Sequence, residues 1–204
     1  SKKVLGFFMA AETNNPFALA ATSGPAPNVP DQQAQLPRFA GPKKNILLIV
    51  VDSLRSQDIA ADTSLIPNLM RWSQQGSLSF DHYSVSNCTH FSFYSMLTGA
   101  LPTGFGHARR GNRAVGILPA FAANGYRLST SESNALDWYD TASILFPAST
   151  ARQISSKKGY IARDADVTQT SMQTLAANQR DTAPFFHVAY YFGPHYPYDV
   201  TIGT

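Results

Sequence analysis

The chain reads as an α/β protein with a doubly wound, mostly parallel sheet and helices on both faces. Apolar, β-branched runs that stop abruptly at polar residues, and an alternation of strand-period with helix-period segments, both predict that class. Composition agrees: 44% hydrophobic and 14% charged residues in 204 supply enough apolar surface for a large packed core and exclude a wholly disordered chain.

Residues 12–44 are rich in Pro, Ala, Asn and Gln, and Pro25, Pro27, Pro30, Pro37 and Pro42 interrupt any periodicity, so 1–44 reads as a Pro-rich segment or linker and 45–204 as the folded domain. The run from Ile46 to Val51 ends at Asp52-Ser53 and is expected to be a strand buried on both faces, central in a parallel sheet. Pro67 at a first helical position, Leu69, Trp72 and a stop at Gly76 predict a short helix. Leu78, Phe80 and His82 alternate with polar neighbours, which predicts a strand continuing toward Val85. Phe93, Met96, Leu97 and Ala100 then share one face of a helix that starts near Thr89.

A helix over 117–123 is expected to stop at Asn124-Gly125 and to lead into a strand over 126–130. Residues 131–159 have weak periodicity and read as a loop region with short helices. Asp164 is expected to cap a helix on which Thr168, Met172, Leu175 and Ala176 line up, and Pro184 to open a strand over 185–192.

The net charge of +3 is carried by scattered pairs (Lys2-Lys3, Lys43-Lys44, Arg109-Arg110, Lys157-Lys158) without a basic run. Nucleic acid is therefore not an expected partner, and an anionic substrate accounts for the charge equally well. The single cysteine, Cys88, excludes an internal disulfide and a Cys-based structural zinc site. No apolar run approaches the roughly 20 residues of a membrane-spanning helix. The chain begins with Ser, which leaves room for an upstream signal or membrane tether.

In open α/β sheets ligands gather beyond the carboxyl ends of the strands, so polar residues that follow apolar runs are the site candidates. Four stand out: Asp52 after the first strand, Thr89 after the strand expected near 78–85, Glu132 after the strand at 126–130 and His195 after the last. Asp52 is either a hard-oxygen ligand for a divalent cation or a turn or cap residue. Thr89 is a nucleophile if a metal or a base activates its hydroxyl, and otherwise a helix cap. His195, in Gly-Pro-His-Tyr-Pro-Tyr, either donates a hydrogen bond or a proton to a phosphoryl or sulfuryl group or packs between tyrosines. His90 beside Thr89 is a candidate for substrate contact, Glu132 a candidate or a solvated loop carboxylate, and His187, inside an apolar strand, a core residue.

Five stretches in order resemble the sulfatase-like branch of the alkaline phosphatase superfamily, which includes sulfatases, lipoteichoic acid synthases and phosphoethanolamine transferases. They are Lys-Lys-Asn-Ile-Leu-Leu-Ile-Val-Val-Asp-Ser-Leu-Arg (43–55), Ile-Pro-Asn-Leu (66–69) with Gly76 and Phe-Asp-His-Tyr (80–83), Asn-Cys-Thr-His-Phe-Ser-Phe-Tyr-Ser-Met-Leu-Thr-Gly (87–99), Asn-Gly-Tyr-Arg (124–127), and the 184–198 segment containing Gly-Pro-His-Tyr-Pro-Tyr. The resemblance implies that Asp52 is a metal ligand, that Thr89 is the nucleophile and also touches the metal, and that His195 contacts substrate. Counted back from Leu-Thr-Gly, Thr89 falls at the nucleophile position, with Cys88 the alternative. The Pro and Arg that accompany a formylglycine-forming cysteine are absent, which points to phospho-group transfer by a threonine over sulfate ester cleavage.

By the same resemblance the expected activity is that of a metal-dependent hydrolase or phosphotransferase on phosphate (or sulfate) esters of a lipid or cell-envelope substrate. The expected cofactor is a divalent ion (Mg, Mn, Ca or Zn), and the expected location extracytoplasmic, at the periplasmic face of the inner membrane or in the cell envelope. The family's later metal ligands do not occur before Thr204, so the chain reads as the N-terminal portion of such a domain, truncated at its C-terminus. Ser53 in place of a second Asp, and Ser131-Glu132-Ser133 in place of the usual Lys and His, motivate an alternative: a non-catalytic domain that binds lipid or a protein partner in envelope regulation, or an inactive gene fragment.

Overall fold

The computed structural model describes residues 36–80, 82–111, 114–179 and 181–196. Four strands, β1 (Ile46–Val51), β2 (Arg127–Glu132), β3 (Ala151–Ile154) and β4 (Phe185–Tyr191), form one all-parallel sheet in the order β1-β4-β2-β3. Between them run α1 (Ser56–Ala61), α2 (Pro67–Ser73), α3 (Thr89–Thr98), α4 (Phe105–Arg110), α5 (Ile117–Ala123), α6 (Thr141–Leu145) and α7 (Tyr160–Asn178). No described helix is long and apolar enough to cross a membrane.

The register sets which residues share a face. Ile46 and Leu128 both lie opposite Phe186, so side chains at even positions of β1, β2 and β4 point one way and those at odd positions the other. On the even face, Phe186, Val188 and Tyr190 join Phe93 and Leu97 of α3, Leu118 and Phe121 of α5 and Leu145 of α6 in one buried cluster. Each fully buried side chain of this kind stabilises the fold by about 1.5–3 kcal/mol, which is what seats α3 against the sheet. On the odd face α7 covers the strands through Val167 and Ser171. There His187 bonds Ser129 Oγ through Nδ1 (2.8 Å) and Ser171 Oγ through Nε2 (3.0 Å), and burial pushes its imidazole down to about 4. It is a neutral core residue at pH 7, as its place in an apolar strand predicts.

Helix α3 ends at Gly99, whose φ of 71° is the left-handed conformation of a helix C-cap, and whose N–H donates to Ser95 O (2.9 Å). The Leu-Thr-Gly ending is thus a helix stop. Upstream of β1, Phe39 N donates to Asn124 Oδ1 (2.9 Å), Asn124 Nδ2 donates to Pro37 O (2.7 Å), and Phe39 packs edge-on against Phe121, pinning residues 37–39 over the end of α5. The expected linker lies outside the described residues as far as residue 35.

Three expectations are corrected. β1 pairs only with β4 among the described residues and all six of its residues are half-buried, so it is an edge strand of this sheet and not a central one. Among the described residues of 78–85 no strand forms: the Ser84 hydroxyl donates to Ser86 O (2.5 Å) and accepts from Ser86 N (3.3 Å), and Ser86 Oγ accepts from Cys88 N (3.1 Å). Such local side-chain bonds take up the backbone groups a ladder would need. Asp164 does not cap a helix, because α7 begins at Tyr160 after Gly159, and its carboxylate turns toward the end of β4. The 131–159 region is more ordered than expected: β2 continues to Glu132, and α6 and β3 follow.

Candidate active site

The end of β1 and the start of α3 meet at one hydrogen bond. Asp52 continues the sheet, its N–H donating to Tyr191 O (2.9 Å), and its carboxylate lies at the head of α3. Thr89, the first residue of α3, donates its hydroxyl to Asp52 Oδ2 (2.9 Å), and Tyr190 from β4 donates to the same oxygen (2.7 Å). Ser53 adds a longer bond to Oδ1 (3.3 Å) and holds a φ of 58°, a left-handed conformation unusual for a residue with a Cβ and of the kind that clusters at functional sites. Tyr190 is fully buried with its ring edge-on to Phe93, and burial first, then the Asp52 charge, pushes its phenol far up, so that it is a fixed donor at any ordinary pH.

Cys88 occupies the N-cap of α3 and makes no side-chain capping bond there. Thr89 does not cap either, since its hydroxyl is spent on Asp52. The unpaired N–H groups and positive dipole end of this helix therefore open on the cavity beside Thr89. That cavity, of about 280 Å³, is lined by Asp52, Ser53, Cys88, Thr89, Tyr190 and His195, by His82, Asn87 and further serines, and by apolar residues that include Val50, Val85, Phe93 and Met96. Among the described residues no lysine or arginine lines it. His195 Nδ1 donates to Tyr196 O (2.7 Å), which makes Nε2 the lone-pair nitrogen of the neutral ring.

The structure thus brings Asp52, Thr89, Cys88 and His195 around one cavity and leaves two other sequence candidates elsewhere. Glu132, fully buried, accepts Arg152 Nε at Oε1 and Arg152 Nη2 at Oε2, both at 2.7 Å, together with Thr130 Oγ1 (2.6 Å) and Leu136 N (3.0 Å). Hydrogen bonding to Glu132 pushes the Arg152 guanidinium higher still, so its charge persists at any ordinary pH. His90 packs among Phe91, Phe105 and Tyr139, with ring centroids 4.1, 5.2 and 4.5 Å away, and burial lowers its pKa. Neither residue lines the cavity. Tyr190 is the site residue that sequence reasoning missed: inside an apolar strand an aromatic reads as core, and only its hydroxyl reaches the site.

Asp52 and Thr89 present hard oxygen donors of the kind Mg, Mn or Ca takes, and Zn also accepts. An anionic ester entering a cavity that already holds a carboxylate and, among the described residues, no lysine or arginine also calls for added positive charge. Among the described residues no group of three or more His, Cys, Asp or Glu gathers, so these two alone do not make a complete ligand set.

An open parallel sheet with a carboxylate and a hydroxyl meeting at its carboxyl edge places the chain in the class of α/β domains that carry their site at the strand ends. A protein of the alkaline phosphatase superfamily from Vibrio parahaemolyticus shares this fold, with a TM-score of 0.65 and 16% identity over 81% of this chain and 44% of that one. The sulfatase family model matches residues 44–201, and the chain belongs to the sulfatase family. It spans about 44% of the length of the structure it resembles. Among curated proteins no sequence matches. The sulfatase family is one of ester hydrolase or transferase chemistry, typically metal-dependent.

Proposed function

We propose that the protein is a metal-dependent hydrolase or phosphotransferase acting on phosphate (or sulfate) esters of a lipid or cell-envelope substrate, with Thr89 as its nucleophile. The observation that carries this reading is the Thr89 hydroxyl donating to Asp52 Oδ2 at 2.9 Å, at an uncapped helix N-terminus facing the cavity. As Thr89 Oγ1 bonds to phosphorus its proton passes to Asp52 Oδ2, and the bond from phosphorus to the leaving alcohol breaks. His195 Nε2, when the ring is protonated, gives that oxygen its proton. Water or an acceptor alcohol then takes the phospho-group from Thr89. A divalent cation on Asp52 and Thr89 would supply the positive charge the cavity lacks. The apolar residues of the lining, Val50, Val85, Phe93 and Met96 among them, suit the lipid part of such an ester, and the family likeness supports an extracytoplasmic location.

The test is Thr89→Ala against Thr89→Ser in the complete protein, with p-nitrophenyl phosphate and p-nitrophenyl sulfate as probes. Serine retains turnover and alanine abolishes it at an unchanged melting temperature; normal turnover in the alanine variant would refute the reading. A second, non-catalytic reading is favoured by one observation: Asp52 Oδ2 already has two hydroxyl donors. Titration with Mn²⁺ separates the two, since tight binding that disappears in Asp52→Ala argues against a purely ligand-binding domain.

A further inference from the structure

Where β4 ends, two consecutive backbone N–H groups converge on one carboxylate. Phe192 N donates to Asp164 Oδ1 (3.0 Å) and Gly193 N donates to Asp164 Oδ2 (2.9 Å). Asp164 is the fifth residue of α7, too far along to serve that helix's own unpaired N–H groups, so this clamp is what its side chain does. A Cβ at Gly193 would overlap Asp164 Oδ2, so a side chain at 193 would push the carboxylate out of the clamp. The clamped segment is the one that carries His195. The buried Phe192 ring, flanked by Tyr160 (5.1 Å) and Tyr190 (6.1 Å), stacks on the imidazole at 4.2 Å and 15°, and His195 N donates to Phe192 O (3.0 Å). α7 itself is fixed to the sheet by Ser171–His187 and by Thr168–Tyr191 (3.1 Å).

We propose that Asp164 is a positioning residue: by clamping Phe192 N and Gly193 N it fixes the turn and the ring that set the pose of His195 at the cavity. This rests on the proposed role of His195 in ester chemistry. A helix residue remote from the nucleophile thus determines where the proton donor stands. A displacement of about 1 Å at such a group lowers kcat on the order of a hundredfold while leaving ground-state binding largely intact.

The experiment uses the complete protein labelled with ¹³C-histidine, the His195 resonance being assigned by its loss in His195→Gln. Stacking on Phe192 shields the imidazole protons, so their shift reports the pose directly. In Asp164→Asn one N–H faces an amide NH₂ in place of an oxygen, and the His195 signal moves toward the position of a free imidazole; Gly193→Ala moves it likewise. In Asp164→Ala, which removes the obstructing oxygen, adding Gly193→Ala has little further effect. On p-nitrophenyl phosphate, Asp164→Asn lowers kcat with KM little changed. A His195 signal that stays in place in folded Asp164→Asn overturns the proposal, as does a moved signal with unchanged kcat. If Asp164→Ala does not fold, the Asp164→Asn and Gly193→Ala spectra decide. A wild-type protein that turns over neither ester defeats the proposed function instead, and the shift still tests the clamp.

Discussion

Asp52 and Glu132 occupy equivalent places: each lies at the carboxyl end of a parallel strand, on the same face, with β4 between them. Their surroundings differ. Glu132 is fully buried, bound through both oxygens by Arg152 and saturated by two further donors, so its charge is cancelled and its lone pairs are used. Among the described residues Asp52 meets only the hydroxyls of Ser53, Thr89 and Tyr190, with no lysine or arginine beside it at the cavity. Position at a strand end makes a carboxylate available to a site, and its partner decides whether it holds the fold together or is left for chemistry. Tyr190 stands on the strand between the two and commits its hydroxyl to Asp52.

The comparison breaks first at Thr89. Removing its hydroxyl as Thr89→Ala lowers turnover on the order of 10⁴-fold or more, measured under single-turnover conditions, because no other group replaces a lost nucleophile. A loss of only a few-fold would place Asp52 and Glu132 in the same structural role. Glu132→Ala is expected to act on stability instead: it leaves Arg152 with only Asp137 as a carboxylate partner among the described residues, strips Thr130 Oγ1 and Leu136 N of their buried acceptor, and costs about 1–3 kcal/mol in urea unfolding. A much smaller cost would mean that Glu132 is not the structural member of the pair.

His187 extends the contrast to the sheet's other face. Its folded pKa of about 4 lies below the ordinary 6.5, so between those values the unfolded chain binds a proton that the folded one does not. Stability is full above pH 6.5, falls as the pH drops toward 4, and levels off below it. The His187 share of the loss is on the order of 3 kcal/mol, read as the difference between urea midpoints at pH 7 and pH 4 and diminished in His187→Gln. A wild-type stability flat across this window would contradict the burial account. The smallest effect belongs to Tyr190→Phe, which removes one bond to an ionised oxygen and lowers kcat/KM roughly tenfold, since such bonds contribute about 1.5–3 kcal/mol. An unchanged kcat/KM would show that Thr89 alone orients Asp52.

Much of the architecture was legible because it follows local rules. The Ile46 run, the Pro67 start, the Gly125 stop and the strand after Pro184 each carry their signal within a few residues, whereas the helix expected to carry Ala100 on its face stops at Gly99. β3 was not, since an edge strand of four residues with three exposed has no apolar run to show. The false strand at 78–85 had the right alternation, and serine hydroxyls capturing nearby backbone groups overrode it. Asp52, Thr89 and His195 were readable as polar residues near strand ends. What separates Asp52 from Glu132 was not, because Arg152 stands 20 residues away on another strand and Tyr190 looks like core. Asp164 was misassigned for the same reason: its partners, Phe192 and Gly193, lie 28 and 29 residues further on.

The central claim is that Thr89 forms a covalent phospho-intermediate beside Asp52. Acid quenching of the complete protein during turnover of p-nitrophenyl phosphate, followed by peptide mass mapping, tests it most directly. The account predicts a phosphate on Thr89 that is absent from Thr89→Ala; a label on Cys88, or active turnover with Thr89 never labelled, would contradict it.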